Sequence, residues 1–347
     1  TPRMGPRMNL LLGMEVNQGK RSLALDLHQP AGQQVLHRLL PGCDVLIYNK
    51  LPEQAQRLGV SPAQVHAVNE RTVISTVTAY GGLHAGGWEG RPAYDPVIQA
   101  LTGIMQRFGS EAAPAVHGIA SCIDYFTGYA GAFGALLGLV ARSRGDSKLV
   151  ARTSLVRTAG WVQLPQLCNP DRPTASGLMA RGESAFDSLY RARGGWVHVG
   201  AAPRGPSPNT PTAAHWLAQE IRWRTVADAV EWARAQGLVA QAVISARALR
   251  ASAEHAEPRG STMNATQVSG HIVKVKHPAG EQYFAPDASW LRFDDGSRQR
   301  IAHAPTPGQH SLEILREAGY SPVEIDCLLQ AQVTTERWPG LRSYLPC

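Results

Sequence analysis

Charge blocks, paired cysteines, phosphate loops and long apolar runs are all scarce in this chain, and each shortage closes off a class of function. The five cysteines, Cys43, Cys122, Cys168, Cys327 and Cys347, are odd in number and show no C-x-x-C spacing. Neither a disulfide framework nor a zinc site is expected, no metal is assigned, and reduced thiols in a cytoplasm are the plain reading. No apolar run reaches the length of a membrane span, so no membrane partner is expected. The opening Thr1-Pro-Arg-Met-Gly-Pro-Arg7 lacks an apolar signal core, which adds to the expectation of a cytoplasmic protein. Neither standard glycine-rich phosphate loop is present. The net charge of +7 favours a polyanionic partner. Its basic residues, however, are scattered arginines with no interleaved aromatics, so nucleic acid is not expected and a small phosphorylated ligand fits better.

What is present is the material of an ordinary globular chain. With 347 residues, 44% of them hydrophobic and 18% charged, it can bury a sizeable core and has the length of two domains. Asn17 to Leu27 reads as a turn feeding a short alternating strand. Pro30 to Leu40 has the spacing of an amphipathic helix, and Cys43 to Tyr48 that of a buried strand. Short helices are expected over Gln54–Leu58 and Pro62–Val68, then a β-branched strand over Thr72–Thr78. This alternation predicts an α/β domain with a largely parallel sheet. A glycine-rich loop follows from Tyr80 to Pro92, where open sheets bind ligands. Helices are expected over Tyr94–Met105 and Thr153–Leu164, and a linker over Cys168–Glu183. Ser188 to Gly200 reads as a hairpin with His198 on its solvent side. A helix over Ala213–Gln236, a strand over Val268–Val275 and a helix after Pro305, stopped by Gly319, complete the pattern.

The stretch Gly118 to Arg142 organises the rest. One carboxylate, Asp124, opens a long segment of small and apolar residues in which Gly128, Gly131, Gly134 and Gly138 recur three or four apart. On a helix they share a face and allow another backbone to approach closely. So many glycines weaken an isolated helix, so burial must hold this one. Asp124 then has two readings: an N-cap accepting the first free N–H groups, or a reactive carboxylate placed at the positive end of a helix.

Several segments together resemble the type III CoA-transferases, the formyl-CoA and carnitine CoA-transferase group that also contains α-methylacyl-CoA racemases. Asn17-Gln-Gly-Lys-Arg-Ser-Leu-Ala-Leu-Asp-Leu27 is similar to an Asn-x-Gly-Lys-x-Ser element of that family. Asp44-Val-Leu-Ile-Tyr-Asn-Lys-Leu-Pro52, followed by Arg57-Leu-Gly59, resembles a second. Arg91-Pro-Ala-Tyr-Asp-Pro-Val-Ile-Gln-Ala-Leu-Thr-Gly103 resembles a third, and Asp124-Tyr-Phe-Thr-Gly128 a fourth. Pro305-Thr-Pro-Gly-Gln-His-Ser-Leu-Glu-Ile-Leu315 with Ala318-Gly-Tyr-Ser321 resembles the ending. Each piece is short, but five stand in the right order over most of the chain.

The resemblance implies a Rossmann-like large domain with a mostly parallel sheet, a smaller inserted α+β domain, and an interlocked homodimer. It divides the chain into 1–175 and 296–347 for the large domain and 176–295 for the small one. It implies transfer of coenzyme A between an acyl-CoA and a carboxylic acid, with Asp124 as nucleophile, carried through an aspartyl-CoA thioester. It places Lys20, Arg21, Asn49, Lys50 and Arg57 along the nucleotide and pantetheine path, and Tyr94 and Asp95 beside the acyl group. For the cations the competing reading is a solvated basic face; for Tyr94 and Asp95 it is core packing and a helix cap. The racemases carry a histidine immediately before the Asp95 position, and Tyr94 stands there instead. The family also opens with a strand and helix before the Asn-x-Gly-Lys element, which leaves a fragment, a short form or half of a tandem protein as expectations. A chain with the fold but little turnover, acting as a CoA-binding or dimer scaffold, is the remaining alternative.

Overall fold

The computed structural model describes residues 16–81, 86–88, 90–117, 122–170, 177, 180–200, 211–254, 266–268, 272–276, 282–286 and 303–336. In chain order the elements begin with strand β1 (Ala24–Leu25), helix α1 (Pro30–Leu39), strand β2 (Val45–Tyr48), helices α2 (Pro52–Arg57) and α3 (Pro62–Val68), and strand β3 (Val73–Thr78). Helices α4 (Asp95–Leu101), α5 (Ile104–Phe108) and α6 (Cys122–Ser143) follow, then strand β4 (Val150–Ser154) and helices α7 (Leu155–Val162) and α8 (Leu164–Cys168). Strands β5 (Gly182–Ser184), β6 (Asp187–Ala192) and β7 (Gly195–Gly200) lead to helices α9 (Pro211–Arg222) and α10 (Val226–Ala235), strand β8 (Val239–Ala242) and helix α11 (Ala246–Glu254). The chain continues through strands β9 (Thr266–Val268), β10 (Ile272–Lys276) and β11 (Gln282–Pro286), helices α12 (Ser311–Glu317) and α13 (Pro322–Gln330), and strand β12 (Thr334–Thr335).

These elements form two units, one of residues 1–42, 57–60 and 245–347 and the other of residues 43–56 and 61–244. In the first, an early and a late segment of the chain meet. β1 pairs antiparallel with β12, Ala24 opposite Thr335. Motif residues make the joint: Ser22 N–H donates to His310 Nδ1 at 3.1 Å, and Ala24 N–H to Ser311 Oγ at 3.1 Å. Ser311 Oγ in turn donates to Thr335 O at 2.8 Å. Val35, Leu315 and Ile325 form the core beneath. The Gly-Gln-His-Ser ending is therefore a tether for the Asn-Gln-Gly-Lys-Arg-Ser segment, since its polar atoms satisfy backbone groups that would otherwise be stranded.

The second unit holds the α/β architecture the sequence predicts. β2, β3 and β4 form a parallel sheet in that order, with Val45 opposite Val73 and Ile74 opposite Val150. β5 to β8 form an antiparallel sheet whose inner residues, Tyr190, Val197 and Val199, pack with Leu217, Ile221 and Ala229 of α9 and α10. His198 lies on the exposed side of β7, 3.2 Å from Asp187, as its alternation predicts. The helix expected over Tyr94–Met105 is broken at Gly103, whose φ of +79° ends α4 and starts α5. The long one expected over Ala213–Gln236 is likewise two, with Thr225 capping α10 through its side chain.

α6 lies across the parallel sheet and fixes the site. Three of its four glycines make the close approach the spacing predicts. A Cβ on Gly131 would stand 3.3 Å from Val77, on Gly134 3.0 Å from Ala151, and on Gly138 2.4 Å from Val73. The fourth, Gly128, meets nothing within 4 Å. At 100° per residue, Gly131, Gly134 and Gly138 fall within about 60° of one another and Gly128 lies about 60° beyond that arc. These contacts also set direction. Gly138 sits over the start of β3 and Gly131 over its end, so α6 runs opposite to the strands and its amino end projects past their carboxyl ends. Its other face is apolar and exposed: Phe126, Tyr129, Phe133, Leu136, Leu137 and Val140. By length and composition α6 could cross a membrane, which the sequence reading did not expect of any segment. Its glycine face packs on β3 and β4, while the opposite apolar face is exposed in the single chain.

Candidate active site

The site is built where α4 meets the amino end of α6. Tyr94 precedes α4 in extended conformation and is 54% exposed, whereas Asp95, the next residue, is turned inward and 1% exposed. Gln99, four residues on and so on the same helical face, is 0% exposed. Asp95 Oδ2 accepts the N–H groups of Ile123 at 2.9 Å and Asp124 at 3.1 Å. These are two of the N–H groups that a helix start leaves without an intrahelical partner. Asp95 Oδ1 accepts from Gln99 Nε2. The cap of α6 is thus supplied from another helix, and Asp124 is not needed for it. The cap reading belongs to Asp95, and the side chain of Asp124 is left for something else.

Asp124 itself stands in the first turn of α6, next to the carboxylate that caps it. The residue as a whole is exposed in the single chain, so the dry environment a buried helix start would give it is only partly present. Its carboxyl group nevertheless lies among enough protein atoms to lose much of its hydration. Burial first, and the charge of Asp95 second, push its pKa up to about 6. That reverses the simple expectation from the helix dipole, which favours the ionised form: Asp95 already occupies the positive end. Cys122, two residues earlier, also has its thiol pushed upward, chiefly by burial. Beneath the turn, Thr127 Oγ1 donates to Ile123 O at 2.6 Å and shares a hydrogen bond with Thr158 of α7, which keeps the turn rigid.

The remaining candidates are distributed over both units. Asn49 and Lys50 follow β2 at the carboxyl end of the sheet and are exposed. Lys20, Arg21 and Arg57 belong to the other unit, and all three are exposed. Arg21 is already engaged, with ion pairs to Glu313 at 3.1 Å and Glu317 at 2.8 Å. Lys20 Nζ donates to Asn17 at 3.3 Å. Within the second unit the fold brings together Tyr94, Asp95 and Asp124. Sequence reasoning missed Gln99 as a partner of Asp95, although the i, i+4 spacing of two polar residues in an apolar helix was a usable signal. His117, in the sequence neighbourhood of the site, has its backbone bonded to Gln99 and its ring edge-on to Phe108, with centroids 4.6 Å apart. Among the described residues no cluster of metal-ligating side chains occurs.

A parallel α/β sheet with a carboxylate on the helix past its carboxyl edge defines a fold class and a candidate site, not an activity. The sequence profile of CoA-transferase family III matches residues 4–311, and the chain belongs to that family. It is 23% identical over 360 residues to the CoA-transferase/lyase DddD of a Marinomonas strain, covering 100% of this chain and 43% of that protein. It is 24% identical over 361 residues to the formyl-CoA:oxalate CoA-transferase of Rhodopseudomonas palustris, covering 92% and 84%. A third relative, the succinyl-CoA–L-malate CoA-transferase beta subunit of Chloroflexus aurantiacus, is 30% identical over 139 residues, 40% of this chain and 34% of that one. The chain thus spans less than half the length of two of these relatives. The fold is that of Rv3272 from Mycobacterium tuberculosis (TM-score 0.67, 19% identity, covering 87% and 85%) and of a CAIB/BAIF family protein from Brucella suis (TM-score 0.68, 18% identity, covering 89% and 84%).

Proposed function

We propose that this chain transfers coenzyme A between an acyl-CoA and a free carboxylic acid, with Asp124 as the covalent nucleophile. The observation that carries the reading is a carboxylate in the first turn of α6 that is relieved of capping by Asp95 and raised to a pKa of about 6. A carboxylate of that basicity is more nucleophilic than an ordinary aspartate and still mostly ionised at pH 7. Family membership and relatives named for CoA transfer support the same reaction class.

In the proposed sequence, Asp124 Oδ attacks the thioester carbonyl, the C–S bond breaks, and CoA leaves as a thiolate from a mixed anhydride. The thiolate then attacks the Asp124 carbonyl carbon, the donor acid departs as a carboxylate, and an aspartyl-CoA thioester remains. The acceptor carboxylate attacks that thioester and expels the thiolate, which takes the acyl carbon of the new anhydride and restores Asp124. No proton or electron is gained or lost over the cycle. Each anhydride must be shielded from water, and a partner covering the exposed Asp124 turn would provide that. We therefore propose a homodimer, interlocked as in the family, with the apolar outer face of α6 in its interface. Lys20, Asn49, Lys50 and Arg57 are proposed to follow the CoA phosphates and pantetheine, Arg21 to hold its segment in place through Glu313 and Glu317, and Tyr94 to border the acyl group. The division at 1–175, 176–295 and 296–347, and a cytoplasmic setting, complete the proposal.

Hydroxylamine trapping tests it. With succinyl-CoA or formyl-CoA and hydroxylamine present, peptide mapping should locate a hydroxamate on Asp124, and free CoA should accumulate. Turnover of CoA between the two acids with no modification at Asp124 would remove the covalent role.

A further inference from the structure

Behind the Asp95 cap lies a second buried side chain whose polar atoms are all committed. Gln99 Nε2 donates to Asp95 Oδ1 and also to His117 O at 3.1 Å, while Gln99 Oε1 accepts from His117 N–H at 2.9 Å. Both amide protons and the carbonyl are therefore used. Only one orientation of the carboxamide works, because the His117 backbone presents one donor and one acceptor and Asp95 presents an acceptor. The result is a continuous chain of hydrogen bonds running from the His117 backbone through Gln99 and Asp95 to the N–H of Asp124. With Oδ1 held by Gln99, the Asp95 carboxylate cannot rotate, and Oδ2 stays on the two N–H groups of α6.

We propose that Gln99 is a positioning residue for the chemistry: acting through Asp95, it fixes the amino end of α6 and hence the place from which the Asp124 carboxylate attacks. This rests on the reading of Asp124 as nucleophile. Gln99 touches neither substrate nor Asp124 side chain. Losing it leaves a buried carboxylate oxygen without its donor, and Asp95 regains the freedom to turn. A nucleophile displaced by a fraction of an ångström loses rate, whereas exposed CoA-binding cations distant along the chain are untouched.

The test is a pair of variants read against a matched structural control. Gln99→Leu removes every bond of the carboxamide; Gln99→Met, closer to glutamine in length and equally without a donor to Asp95, serves if the leucine variant does not fold. Gln163→Leu is the control. Gln163 is another buried glutamine in the same unit, donating to Thr102 O at 2.9 Å and Ala159 O at 3.3 Å, and it bonds nothing in the Asp95 relay. Rapid-quench trapping of the CoA ester, using succinyl-CoA and formyl-CoA as donors, gives rate and apparent affinity separately. Both Gln99 variants should form the ester about 10- to 100-fold more slowly with an apparent KM within about threefold of wild type. Gln163→Leu should lower the melting temperature and leave the ester rate alone. Equal rates in wild type and folded Gln99 variants, or an equal loss in Gln163→Leu, would overturn the positioning role while leaving Asp124 as nucleophile. No ester in wild type with either donor, together with CoA exchange that does proceed, would overturn both.

Discussion

At the residue scale, two carboxylates stand side by side with opposite duties. Asp95 is buried and spends both oxygens on hydrogen bonds; Asp124 is exposed in the single chain, with its carboxylate outside that network and free for the role proposed for it. Because the folded-state pKa of Asp124 is raised, the group is largely protonated below pH 6 and ionised above it. Ester formation should therefore rise with pH along an acid limb whose midpoint is near 6, visible in a pH profile of the single-turnover rate. Asp95→Asn removes the neighbouring charge, the second cause of the shift, and should move that limb to lower pH while lowering the maximal rate, since an amide caps less well. A limb that stays in place would mean that burial alone sets the value. From the sequence, Asp124 was legible as a special residue: its own stretch favoured the N-cap, and only the family motifs elsewhere in the chain turned the reading toward a nucleophile. The hydrogen bond from its own N–H to Asp95 gives the cap to Asp95, and a contact across 29 positions leaves no local trace in composition or spacing.

At the scale of elements, α6 shows how far spacing reaches. Glycines three and four apart predicted a close face, and Gly131, Gly134 and Gly138 provide it. Gly128 does not, because helical phase carries it beyond that face. The two kinds of glycine should respond oppositely to alanine. Gly138→Ala places a methyl 2.4 Å from Val73 Cγ1 and should destabilise by about 1–3 kcal/mol despite a better helix propensity. Gly128→Ala meets open space and should stabilise by up to about 1 kcal/mol. Urea denaturation of the two variants checks the difference in sign. β4 was less legible: Val150-Ala-Arg-Thr-Ser154 has a charge at its centre and reads as neither a clean alternation nor a buried run. Its strand identity comes from pairing along β3, a partner 76 residues away. The breaks at Gly103 and at Thr225 were likewise hidden, because apolar periodicity continues through both.

At the scale of the whole molecule, the motif order identified the family and the α/β class, and the fold agrees with both. What the motifs could not give is the work each one does. The Gly-Gln-His-Ser segment ties an early and a late segment of the chain together in one unit, whereas Arg91 to Gly103 supplies the cap and relay in the other. The apolar face of α6 is a whole-molecule feature in the same sense, since it stays exposed in the single chain. In the homodimer proposed for it, Phe133→Glu paired with Leu136→Glu should shift the protein from dimer to monomer in sedimentation velocity and reduce ester yield. A wild type that sediments as a monomer at tens of micromolar would remove the dimer from the account.

The central claim is that one carboxyl group becomes bonded to coenzyme A during turnover, and an intact-mass spectrum reads that bond directly. After incubation with succinyl-CoA or formyl-CoA, the wild-type chain should gain the mass of CoA less one water, and the same treatment of Asp124→Asn should leave the mass unchanged. An adduct that persists in Asp124→Asn, or CoA transfer by that variant at the wild-type rate, would contradict the account.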